Sequence, residues 1–150
     1  MFRLYSKGCE YTIRALSHAD FTNGTRRFIA TQLCRNARVP EPFTRKIFQQ
    51  LVQSGVLKAV TGPGGGYAFA QHPKRITILG LIRAIDGEGA FEGCVMGLPH
   101  CNSRRPCPLH TAWKLAKQRL LLSLERLTLH DIRPVARERS PSRSNQRRRR

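Results

Sequence analysis

A mainly helical fold with one small β-hairpin is what this chain of 150 residues predicts. Three observations carry that reading. Apolar residues recur at helical spacing in five separate stretches. Between the third and fourth stretches, two short extended runs flank the glycine turn Gly62-Pro63-Gly64-Gly65-Gly66. The last twenty residues, 131–150, are mostly Arg, Ser and Pro and offer almost nothing to bury.

The elements follow in order. Residues 6–19 read as a first helix, with Cys9, Ile13 and Leu16 repeating at helical spacing beside Thr12 and Ala19. Asp20-Phe21-Thr22-Asn23-Gly24-Thr25 is a polar turn. A short second helix over 28–36 buries Ala30, Leu33 and Ala37, and Arg38-Val39-Pro40-Glu41 breaks it. Pro42 suits the first turn of a third helix, which runs to Ser54 with Phe43, Ile47, Phe48 and Leu51 inward. Gly55 stands just past its end, where a left-handed residue stops a helix. Residues 56–60 and 67–70 are the two strands of the hairpin. Ile78, Leu81, Ile82 and Ile85 mark a fourth helix over 77–86, and Pro108 opens a fifth that runs to Leu129. Two short helices, a turn, a third helix and a hairpin make a winged helix-turn-helix. In that arrangement the third helix would enter the major groove and the hairpin would lie against the backbone or minor groove.

Charge points to a polyanion. The formal net charge is +18. Residues 131–150 hold eight arginines against Asp131 and Glu138, a net of +6, so residues 1–130 still carry +12. A folded module this basic meets nucleic acid first and an anionic membrane second. The chain has neither a long apolar run nor a signal-peptide core after Met1, so no membrane partner and a cytoplasmic location are expected. No nucleophile–base pair is visible, and the glycine turn lacks the Lys-Ser/Thr of a phosphate loop. Neither an enzyme nor a small-molecule substrate is expected.

Three of the five cysteines fall within fourteen residues, as Cys94, Cys101 and Cys107, followed by His110. They sit among Gly, Pro, Asn and Arg, where no apolar face exists to bury a structural cysteine. Closely spaced soft ligands on a loop suit an iron–sulfur cluster or a zinc ion, and composition and spacing leave the two open. Cys9 shares a helix face with Ile13 and Leu16, and neither it nor Cys34 is assigned a role.

Leu4-Tyr5-Ser6-Lys7-Gly8, the turn Gly62-Pro63-Gly64-Gly65-Gly66-Tyr67, residues 78–86 and the cysteine triplet together resemble the IscR/NsrR-type family of bacterial winged-helix regulators. The likeness covers about residues 1–128 and leaves the basic tail outside. It implies a winged helix-turn-helix over 1–90, a cluster-binding loop over 91–109 and a dimerisation helix over 110–130; composition makes 131–150 a disordered basic tail. It implies Cys94, Cys101 and Cys107 as cluster ligands, with a 2Fe–2S cluster ahead of a 4Fe–4S one. For the fourth ligand it implies His110, as in IscR-like proteins, or Glu10 of a partner subunit, as in NsrR-like ones. Glu10 can equally form an ion pair with Arg14 at i,i+4. The implied function is a transcription regulator, a repressor in most members, whose affinity for a double-stranded operator follows the state of the cluster.

Candidate DNA contacts are Thr44, Arg45, Lys46 and Gln49 on the third helix and Thr61, Gly64, Gly65 and Tyr67 in the wing. Arg and Gln read guanine and adenine edges. Thr61 stands where family members often carry an arginine. Arg26, Arg27, Lys58 and Lys74 are candidates for phosphate contact only. The fifth helix shows two apolar stripes, Trp113/Ala116/Leu120/Leu124/Leu127 and Leu115/Leu122/Leu129, so one can cover the core and the other a second copy in a homodimer. A different class also fits the arginine tail: a zinc-stabilised basic module bound to RNA or the ribosome.

Overall fold

The computed structural model describes residues 4–20, 27–99 and 101–138, with side chains as far as residue 133. The Asn23-Gly24 turn, His100 and residues 139–150 lie outside the described residues.

The first helix, α1 (Lys7–Leu16), starts where Ser6 adopts an extended backbone and its Oγ accepts the N–H of Cys9 at 3.0 Å. That cap satisfies one of the donors a helix start leaves unpaired. Gly8, Cys9, Thr12, Ile13, Ala15 and Leu16 form its buried face. Helix α2 (Ala30–Ala37) ends at Arg38, which takes a left-handed conformation with φ of 53°. A three-residue connection then leads into α3 (Glu41–Gln53), with Pro42 in its first turn as expected. Strands β1 (Leu57–Val60) and β2 (Gly66–Phe69) pair antiparallel, Leu57 opposite Phe69 and Val60 opposite Gly66. A bridge between Phe28 and Tyr67 adds the segment before α2 to the hairpin. Helix α4 (Ile78–Asp86) is capped by Thr77, whose Oγ1 accepts the Gly80 N–H at 3.0 Å. The core is one cluster drawn from α1 to α4, the hairpin and Phe91, with Phe48, Leu51, Leu81 and Ile82 fully buried.

The C-terminal part departs from the expectation. Helix α5 spans His110–Arg126 and stops short of Leu129. Thr128 bridges Thr77, and Leu129 opens a further helix, α6 (Leu129–Glu138). Residues 131–138 are therefore not part of a disordered tail. The Thr128 N–H and hydroxyl both donate to Asp131, at 2.8 and 2.6 Å, which caps the new helix. Leu129 is fully buried and Ile132 packs against the core, so this segment has apolar surface to hide. Leu129 accordingly drops out of the outer stripe assigned to the fifth helix.

Helix α1 crosses α3 at Gly8. A Cβ built there would come within 2.5 Å of Ile47 Cδ1 and 3.0 Å of Phe43 Cε1. Only hydrogen fits between the two helices. Gly8→Val should therefore force the helices apart and cost about 1–3 kcal/mol, an overpacking penalty. A thermal melt should show a midpoint several degrees lower with the helical circular dichroism retained.

Candidate nucleic-acid interface and cysteine loop

Helix α3 presents Arg45, Lys46 and Gln49 to solvent. Thr44 is not with them. It is fully buried, and its Oγ1 donates to the Pro40 carbonyl at 2.7 Å. Position 44 is three residues from Ile47 and four from Phe48, so helical geometry turns it to the core face. Thr44 is thus removed from the DNA contacts. Arg45 is held by its own scaffold: it pairs with Glu41 one turn back and donates to Thr31 Oγ1 on α2 at 3.1 Å. The Thr31 hydroxyl donates to the same Glu41 carboxylate at 2.7 Å. That bond, with Arg45 beside it, holds the Glu41 carboxyl below the usual carboxylate range.

A groove of about 610 Å³ separates α3 from the wing, lined by Arg45 and Gln49 on one side and Gly64, Gly65, Gly66 and Tyr67 on the other. Thr61 and Gly64 are exposed and Gly65 is half-buried. Tyr67 is half-buried too, and its ring is already engaged. It stacks on Phe28 with centroids 6.4 Å apart and meets Phe48 edge-on at 5.4 Å. That contact fixes the wing to the helical body. The turn itself needs glycine at Gly66, where φ is 139° and a Cβ would stand 2.5 Å from the Phe28 carbonyl oxygen.

The cysteine loop follows α4. A 3-10 turn (Glu88–Phe91) buries Phe91, and the Trp113 Nε1–H donates to the Gly93 carbonyl at 3.2 Å, which ties the start of the loop to α5. Cys94 is buried. Hydrogen bonding from the backbone at Met96 and Leu98, with a smaller part from the Cys107 side chain, holds its pKa below the usual thiol value, and the Gly97 N–H donates to the Cys94 carbonyl at 3.0 Å. Cys101 is half-buried, with Sγ 3.5 Å from His110 Nδ1, the first residue of α5. The other ring nitrogen, Nε2, is 3.4 Å from Ser103 Oγ. Cys101 and His110 thus stand as a pair, and the Cys107 side chain contributes to lowering the Cys94 pKa. Among the described residues no three of His, Cys, Asp and Glu are gathered closely enough to hold one ion. By kind the donors, three thiols and an imidazole on and beside one loop, fit an iron–sulfur centre.

Other residues take different parts. Cys9 and Cys34 are core residues, and burial raises both thiols, Cys9 to about 12 with Asp86 adding to the effect. Glu10 pairs with Lys7 at 2.6 Å and Arg14 at 3.8 Å on the surface of α1. On α5 no residue is fully buried. Leu120, Leu121 and Leu124 rest partly on the core, whereas Leu115 and Leu122 are 58% and 50% exposed. Spacing alone did not reveal the Trp113 bond or the backbone hydrogen bonding at Cys94, since both depend on how the loop folds back on α5.

A buried helix-turn-helix core, an exposed third helix facing a glycine-tipped wing, and a cysteine loop against a long helix define a winged-helix, DNA-binding transcription regulator. The chain belongs to the Rrf2 family, iron-dependent transcriptional regulators, whose pattern it matches over residues 5–134. A protein of Aquifex aeolicus named as an HTH-type transcriptional regulator is 27% identical over 132 residues, 86% of this chain and 90% of that one. The regulator IscR of Klebsiella pneumoniae is 25% identical over 130 residues, covering 87% of this chain and 78% of its own. Among solved structures, CymR, the global cysteine regulator of B. subtilis, superposes with a TM-score of 0.71 at 18% identity, over 90% of this chain and 98% of that chain. T. potens IscR superposes at 0.64 and 21% identity, over 91% and 90%. These relatives are regulators, not enzymes. No helix among the described residues is long and apolar enough to cross a membrane.

The two neighbours on α3 should separate in binding assays. Arg45→Ala should weaken operator binding by about 1–3 kcal/mol if the side chain reads a base. Thr44→Val should leave operator affinity unchanged and lower stability by about 0.5–1.5 kcal/mol through the lost hydroxyl bond. Fluorescence anisotropy with labelled operator and a denaturant titration make the two measurements.

Proposed function

We propose that this chain is a homodimeric transcription regulator, acting as a repressor, whose operator affinity is switched by an iron–sulfur cluster on the cysteine loop. The observation that carries the reading is Cys101 Sγ 3.5 Å from His110 Nδ1, on the same loop as Cys94 and Cys107, which the Trp113 bond ties to α5. Fold alone does not carry it, because the same fold serves a cysteine regulator. Cys94, Cys101 and Cys107 would hold the cluster and His110 would complete the set, with Glu10 the alternative fourth ligand. The resemblance to IscR-like proteins, where a histidine at this spacing ligates a 2Fe–2S cluster, puts that cluster ahead of a 4Fe–4S one. When bound, such a cluster supplies sensitivity to oxidants, nitric oxide and iron supply.

The chain's own residues do the rest. Backbone hydrogen bonding at Met96 and Leu98 favours negative charge on the Cys94 sulfur, and His110 links the loop to the first turn of α5. Arg45, Lys46 and Gln49 face the major groove from α3, and the wing meets the adjacent backbone. Switching requires a difference in DNA affinity between the cluster-loaded and cluster-free states. Leu115 and Leu122, exposed on α5, form the surface for the second copy.

Anaerobic purification with a visible spectrum, iron and sulfide analysis, and operator binding with and without cluster test this reading. A colourless protein with stoichiometric zinc overturns it in favour of a structural metal. Alanine at Cys94, Cys101 or Cys107 should abolish stable cluster binding and leave the helical fold, because none of the three belongs to the core cluster. His110→Ala should change the spectrum or lability of the cluster while Glu10→Ala should not; the reverse result moves the fourth ligand to a partner subunit. Leu122→Glu should shift the sedimentation coefficient to that of a monomer.

A further inference from the structure

The wing turn, residues 61–67, carries no charged side chain of its own. The structure brings one to it from elsewhere. Arg27 lies thirty-six residues before Pro63, and its Nη1 donates to the Pro63 carbonyl at 3.3 Å. Its guanidinium closes over Gly64, with Nη2 3.3 Å from where a Cβ would stand. The stem passes Gly66, with Cγ 3.6 Å from the equivalent point there.

This placement is built, not incidental. Phe28, the next residue, exchanges both backbone hydrogen bonds with Tyr67, at 2.8 and 2.9 Å. Phe28 is thereby joined to the wing by a single antiparallel bridge and anchored by the rings of Phe48 and Phe69. The backbone next to Arg27 is thus fixed beside the tip. The Arg27 side chain is nonetheless exposed, and the bond to Pro63 uses one of five N–H donors.

We propose that Arg27 is the group this wing presents to the DNA minor groove, and that it makes the protein prefer A·T pairs beside each half-site. The chemistry favours the groove over the phosphates. A tip made of Gly62, Pro63, Gly64 and Gly65 is thin enough to enter a narrow groove, and a weakly hydrated planar guanidinium suits it better than an ammonium does. Narrow minor grooves occur at A·T runs and carry an enhanced negative potential. The minor groove also distinguishes A·T from G·C, through the guanine amino group. Helix α3 occupies the major groove on the same face, across the groove that Arg45 and Gln49 line. The inference rests on DNA binding and is independent of the cluster.

The test is a selection from random-sequence duplexes with the full chain as purified anaerobically, run in parallel for wild type, Arg27→Ala and Arg27→Lys. Wild type should enrich a core motif with an A·T run at a fixed offset. Arg27→Ala should enrich the same core with the A·T preference lost, and should bind the A·T-flanked site about tenfold more weakly. Arg27→Lys keeps the charge and the wing; it should recover part of the affinity without the preference. Retention of the A·T bias in Arg27→Ala overturns the proposal. So does a uniform loss across all flanks with a salt slope shallower by about 0.9, the mark of a phosphate contact. A wild-type protein that enriches no core motif overturns the DNA-binding reading itself, which separates the two failures.

Discussion

The last turn of α4 is where the parts of this protein are tied together. The Asp86 carboxylate accepts from both the N–H and the hydroxyl of Ser6, at 2.7 and 2.5 Å, and Ser6 in turn caps α1. On the other side, the Gln50 amide donates to the carbonyls of Ala84 and Ile85, at 3.0 and 3.1 Å. A helix end leaves its final carbonyls without partners, and here α3 supplies them. The start of α1, the later turns of α3 and the entry to the cysteine loop thus meet at three consecutive residues. The chain leaves this junction through Gly87, whose φ of 88° turns it directly into the loop.

The DNA face depends on that anchoring and on an aromatic cluster at its far side. Phe28, Phe48, Phe69 and Tyr67 join the segment before α2, helix α3 and the wing. Rings of this size bury large apolar areas and hold fixed edge-to-face geometry. Wing and third helix are therefore set at one separation, and the groove between them has a defined width. Arg45 is likewise held ready by Glu41 and Thr31, so its fork is oriented before any base edge arrives.

The five cysteines divide by environment, not by chemistry. Cys9 and Cys34 are surrounded by apolar atoms, which disfavour the charged thiolate and raise the thiol pKa. Cys94 is also buried, yet hydrogen bonding from the backbone at Met96 and Leu98 favours negative sulfur and lowers its pKa. One residue type thus serves as packing in the helices and as a ligand candidate in the loop.

Much of the architecture was legible because helical and strand periodicities are local. The five expected helices, the hairpin and its glycine tip all appear within a few residues of where spacing put them. The cysteine triplet was legible for a similar reason, since three thiols set among Gly, Pro and Arg lie on no periodic apolar face. Thr44 was misplaced by counting polar residues rather than following the helical face, which Ile47 and Phe48 had already set. Helix α6 was missed because its reason to fold lies elsewhere: Leu129 and Ile132 are too few to announce a helix, and they count only once the core is there to receive them. What tertiary structure alone decided are the long-range pairings. Asp86 to Ser6, Gln50 to Ala84, Trp113 to Gly93 and Arg27 to the wing tip join residues 20 to 80 positions apart. Periodicity carries no information over such separations, because only the closed core fixes which distant polar groups come within bonding distance.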